Sequence, residues 1–157
     1  MKAKLDASDK VFEAAAIVCL LANVLIVAIA TPGLPETIPC HFDMNGEPNQ
    51  YGSKYIMWVT VAVSALLYML LGVVTRFPET FNYPSQKNDK DGQFKLGAKL
   101  MRSFKACILF FLTIVTCVMV RSAYTGSAKG AFWLIGIVVL ILAGNLVWFF
   151  AQWRKIK

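Results

Sequence analysis

Long apolar runs separated by short polar segments dominate the chain. Val11–Ala30 carries one charge, Glu13, near its start, and Tyr55–Val74, Ala106–Val120 and Ala131–Ala151 carry none. The third run extends back through Leu100, Met101 and Phe104 if Arg102 and Lys105 snorkel to the interface. A bilayer core of about 30 Å asks for roughly 20 helical residues, and every backbone N–H and C=O must find its partner inside the span. The runs are too long and too evenly apolar for barrel strands. The expected fold is therefore an all-α integral membrane bundle of four transmembrane helices. Spans are expected near residues 11–30, 55–74, 101–120 and 131–151, with an outer loop at 31–54 and a cytoplasmic loop at 75–100, all in a single membrane domain.

Composition supports this reading: 57% of the 157 residues are hydrophobic and 16% are charged, against about 25% charged in a soluble domain. Disordered and collagen-like chains are excluded, as are most soluble enzymes of this length. The net charge of +7 points to membrane orientation before nucleic acid. Of the 16 Lys and Arg, 13 fall in the alternate segments that include both termini and residues 75–105, and 3 fall on the other side. The positive-inside rule makes the chain N-in and C-in. Tyr51, Tyr55, Trp58, Tyr124 and Trp133 then mark the outer boundary, and Trp148 and Trp153 the inner one. All the excess charge lies inside, because the outer lysines and arginine are balanced by Glu36, Asp43 and Glu47. A competing reading has Ala28-Ile29-Ala30 as a signal-peptide cleavage site. The apolar stretch is long for a signal core and Pro32 follows at once, so the first span is expected to be retained.

The outer loop holds Pro32, Pro35, Pro39 and Pro48, together with Gly33, Gly46 and Gly52, a composition that specifies a shape. Asp43-Met44-Asn45-Gly46 is a turn signal, and Ile38–Phe42 is a short extended segment leading into it. The run Leu34-Pro35-Glu36-Thr37-Ile38-Pro39-Cys40-His41-Phe42, followed by Gly46-Glu47-Pro48-Asn49-Gln50-Tyr51-Gly52-Ser53-Lys54, resembles a bacterial membrane-domain family. That family's pattern is Leu-Pro-x-x-Ile-Pro-x-His-Phe, then Gly-x-Pro-Asp, then an aromatic, Gly, Ser and Lys. Phe81-Asn82-Tyr83-Pro84 is similar to a motif of its short members. The domain, of unknown function in most proteins, forms the N-terminal part of SdpI-type proteins, membrane immunity proteins against a secreted killing peptide that also signal to a cytoplasmic repressor. The resemblance implies a bacterial inner-membrane protein with an immunity or sensing role and a secreted peptide or a membrane or cytoplasmic protein as partner. Asn49 stands where the family usually has Asp, and Cys40 where Thr or an aliphatic residue is common. Gly144-Asn145 is the one similarity to the C-terminal half of SdpI-type proteins.

His41, Phe42, Asp43, Glu47, Tyr51 and Lys54 are the candidate recognition residues of the outer loop. His41, the single histidine, has three readings: a hydrogen bond to loop backbone or to Glu36 or Asp43, ligand recognition, or metal binding. The first is favoured, since Cys40 and His41 point to opposite sides of an extended chain and do not readily chelate one ion. Phe81, Asn82, Tyr83 and Pro84 form a candidate cytoplasmic motif. Asn23 and Asn145 are the costliest polar groups inside spans, and are expected to hydrogen-bond between helices. Cys19, Cys107 and Cys117 lie in spans, which leaves Cys40 without an external disulfide partner. No catalytic constellation, cofactor or metal is expected.

From Gln93, Lys95, Lys99 and Arg102 share one helical face and Phe94, Ala98 and Met101 another, an amphipathic cytoplasmic helix suited to anionic headgroups. Three function classes follow: immunity or sensing of an envelope-active peptide, an accessory or structural subunit of a membrane complex, and a small transporter. The last is disfavoured because no span has a deep ionisable residue.

Overall fold

The computed structural model describes residues 5–43, 45–77 and 90–155. Four helices, α1 (Ala7–Ala30), α2 (Met57–Val74), α3 (Lys90–Thr125) and α4 (Phe132–Lys155), are joined between α1 and α2 by two strands, β1 (Thr37–Phe42) and β2 (Pro48–Ser53). All four helices are long and apolar enough to cross a membrane, so the chain is a multi-pass membrane protein.

Helix α1 begins and ends for local reasons, and so does the entry into α2. Asp6 caps α1: its Oδ1 accepts from the Asp9 N–H at 2.9 Å, while Asp9 Oδ2 accepts from the Asp6 N–H at 3.1 Å. That reciprocal pair satisfies two donors the helix would otherwise leave open. At the far end the Thr31 hydroxyl donates to the Val27 carbonyl at 2.6 Å, and Pro32 then continues as a single 3-10 turn. A second 3-10 turn, Lys54–Ile56, delivers the chain from β2 into α2, with Ser53 as its cap.

Two expectations are corrected here. The fold is not purely α: the 31–54 loop holds a two-stranded antiparallel sheet. Nor is there a separate amphipathic helix ahead of the third span, because both belong to α3. At 1.5 Å per residue its 36 residues run to about 54 Å, well beyond a hydrocarbon core, and no proline interrupts them. Lys99, Arg102 and Lys105 turn toward α1. Lys105 is 1% exposed and donates to both Glu13 oxygens at 2.9 and 2.7 Å, with its ammonium 4.6 Å from the Tyr68 ring centre. It does not snorkel. Arg102 lies 3.1 Å from Asp9, an ion pair without hydrogen-bond alignment, and 3.7 Å from Glu13. Lys99 pairs with Asp6. Lys95 alone of the expected basic face is exposed.

Helix α3 is the centre of the bundle. It packs against α1, α2 and α4, and α1 also packs against α2. Ala16 on α1 and Ala106 on α3 are buried together with Leu109, small side chains that let two backbones approach without a cavity. Above them Asn23 joins three helices. Its Nδ2 donates to Ser64 Oγ at 3.0 Å, and the Thr116 and Thr60 hydroxyls reach its Oδ1 at 3.2 and 3.5 Å. Those two hydroxyls stand 2.9 Å apart. In a medium without water these contacts fix rotation and register between α1, α2 and α3. Asn145 makes the corresponding link from α4, accepting from Ser103 at 2.9 Å and lying 3.7 Å from Cys107 Sγ. Both asparagines bridge helices, as expected.

Candidate functional site

The hairpin closes the end of the bundle opposite the termini. Its register pairs Thr37 with Ser53, Ile38 with Gly52, Pro39 with Tyr51, His41 with Gln50 and Phe42 with Pro48, so that Cys40 is the extra residue of a bulge. A bulge turns the strand locally and re-aims its side chains. Ile38 and Leu34 point down and are buried with Val27 and Met57. Cys40 folds over β2, where a Cβ on Gly52 would lie 2.6 Å from its sulfur. A side chain at Gly52 would have to displace the Cys40 sulfur.

The turn is built by Asp43. One carboxylate oxygen accepts from the N–H groups of Asn45 and Glu47, both at 2.9 Å, and its backbone pairs with Gly46 and Glu47. The Glu47 N–H above all, with the Asn45 amides in support, holds the Asp43 carboxyl below its ordinary range. The tip then docks on the α3–α4 connection. Gly46 O accepts from the Ala128 N–H at 2.9 Å and from Ser127 Oγ at 3.1 Å, and Glu47 pairs with Lys129, whose ammonium it stabilises above the ordinary lysine range. Lys54 closes the base, buried, with Nζ 3.0 Å from Glu36 and donating to the Leu34 carbonyl at 3.4 Å.

The candidates from sequence therefore divide. Asp43, Glu47 and Lys54 have partners that build and seat the hairpin, and Phe42 is half-buried. His41 and Tyr51 remain on the exposed side, Tyr51 at 60%. His41 Nδ1 lies 2.6 Å from Asn49 Oδ1, a partner other than the expected loop backbone, Glu36 or Asp43. With Asn49 Oδ1 as the acceptor Nδ1 carries the proton, and Nε2 then has no hydrogen-bond partner among the described residues. Sequence reasoning missed Asn49 and the exposed Gln50 as members of this patch, although Asn49 had stood out as a departure from the motif. The candidate motif at Phe81, Asn82, Tyr83 and Pro84 lies outside the described residues.

Against known proteins, the hairpin and its flanking helices are the part that matches. Residues 17–65 fit the family model of a domain of unknown function, DUF1648. That stretch begins inside α1, takes in both strands and ends midway along α2, so it covers Asn23, Thr60 and Ser64 as well as the whole outer patch. An uncharacterized protein of Archaeoglobus fulgidus is 32% identical over 60 residues, covering 33% of each chain. The chain thus spans about a third of the length of the curated relative it matches. No solved structure matches.

Proposed function

We propose that this protein is an SdpI-like, N-in and C-in component of a bacterial inner membrane whose hairpin recognises a secreted envelope-active peptide, giving immunity or sensing. It acts by binding, without catalysis or cofactor. The observation that carries this reading is the division of labour in the hairpin. Gly46 and Glu47 lock it to the α3–α4 connection and Lys54 closes its base, while His41, Asn49, Gln50 and Tyr51 stand exposed. A docked hairpin with an exposed amphipathic aromatic and an exposed imidazole suits recognition, since Tyr supplies contact area at low entropic cost. The match to DUF1648 and the motif resemblance support it further.

Deleting the gene is expected to sensitise cells to one or more members of a panel of secreted amphipathic peptides. A plasmid copy restores resistance, and His41→Ala with Tyr51→Ala removes it at unchanged protein level. A deletion strain as resistant as its parent to every peptide contradicts the proposal. A second reading, an accessory subunit of a membrane complex, is favoured by how much of the hairpin is spent on internal contacts. Co-purification with one partner at fixed stoichiometry supports that reading.

A further inference from the structure

At the end of the bundle that carries the termini, α4 packs on α3 and leaves a laterally open groove beside α1. A cavity of about 300 Å3 there is lined by Ser8, Phe12, Lys99, Asn145 and Trp148. We infer that this groove binds the headgroup of an aminophospholipid from the adjoining leaflet, with its phosphate on Lys99 and its ammonium on Asp6.

Charge and depth carry the assignment. Lys99 and Asp6 form an ion pair, and Ser8 Oγ donates to the second Asp6 oxygen at 2.8 Å, so one cation and one anion stand side by side at the rim. A zwitterionic headgroup presents the complementary pair. The deeper basic residues at the same crossing, Arg102 and Lys105, are taken by Asp9 and Glu13, and so offer no net positive charge to a purely anionic lipid. Asn145 lies deeper, level with Ser103, one helical turn beyond Lys99, where the ester carbonyls of a bound lipid would accept from its amide. Phe12 and Trp148 supply the apolar wall, and Trp is at home at the headgroup boundary. Because the groove is lined by three helices that are long and apolar enough to span a membrane, the bilayer is the source of its occupant. A primary ammonium donates hydrogen bonds to a carboxylate, whereas a trimethylated one has none to give. The site therefore discriminates phosphatidylethanolamine from phosphatidylcholine.

The test is native mass spectrometry of the full chain released from nanodiscs containing equal phosphatidylethanolamine, phosphatidylcholine and phosphatidylglycerol. Phosphatidylethanolamine is expected to be retained about tenfold over phosphatidylcholine, the scale of one charge-assisted hydrogen bond. Asp6→Asn should abolish that preference, and Lys99→Gln should lower retention of both zwitterionic lipids. Trp148→Ala, which touches neither the α1 cap nor an ion pair, should weaken retention in a bundle that remains monodisperse and helical. Equal retention of the two zwitterionic lipids, a preference that survives Asp6→Asn, or dominance of phosphatidylglycerol overturns the inference.

Discussion

Lys105→Met is expected to destabilise the bundle by about 3–5 kcal/mol, the usual consequence of stripping one partner from a buried ion pair. Lys105 is the largest fully buried side chain among the described residues, and its ammonium serves both Glu13 oxygens and the Tyr68 ring. Removing it leaves the partly buried Glu13 carboxylate with Arg102 at 3.7 Å as its remaining counter-charge. The double variant Lys105→Met with Glu13→Gln should recover most of the loss, because neither group is then an unpaired charge. Thermal or denaturant unfolding in mild detergent reads both. If the single variant is as stable as the wild type, or the double variant is no better than the single, the ion pair does not hold α1 to α3.

The second large effect lies at the opposite end. Gly46 has φ 81°, and a Cβ there would lie 2.8 Å from the Lys129 nitrogen and 3.0 Å from the Ala128 carbonyl carbon. Gly46→Ala therefore adds a steric clash with backbone to the left-handed strain of about 1–2 kcal/mol. Gly130 is the control, since it shares the strain at φ 82° but has nothing within 4 Å of an added Cβ. Hydrogen exchange at the Ala128 N–H, whose acceptor is Gly46 O, should accelerate strongly in Gly46→Ala and little in Gly130→Ala. Equal protection in the two variants contradicts docking of the tip.

The four spans were legible because hydropathy over some twenty residues is a summed signal that no single side chain can spoil. What a side chain pairs with was less legible, because partners sit on other helices. Lys99 and Arg102 read, with Lys95, as a basic face toward lipid and Lys105 as a snorkelling residue, since the acids that pair with Lys99, Arg102 and Lys105 (Asp6, Asp9 and Glu13) lie about 90 residues away in sequence. Strand β1 was visible as an extended segment. Strand β2, Pro-Asn-Gln-Tyr-Gly-Ser, was not, as it has no apolar alternation and is held by its register with β1 and by the Cys40–Gly52 contact. Asn23 and Asn145 were recognisable as interhelical groups from their cost alone. That Asn23 gathers Ser64, Thr60 and Thr116 needed the packing. Within the outer loop the residue types pointed to the hairpin as the chemically capable element, but could not separate those that seat it from those left exposed.

The central claim is that the hairpin is an outward-facing platform on the side opposite both termini. Single cysteines at two exposed positions, Gln50→Cys on the hairpin and Lys95→Cys near the start of α3, test it in a background in which Cys19, Cys40, Cys107 and Cys117 are all replaced by alanine. A membrane-impermeant maleimide should label Gln50→Cys in intact cells and Lys95→Cys only after permeabilisation. Labelling of Lys95→Cys in intact cells with Gln50→Cys protected would contradict the account.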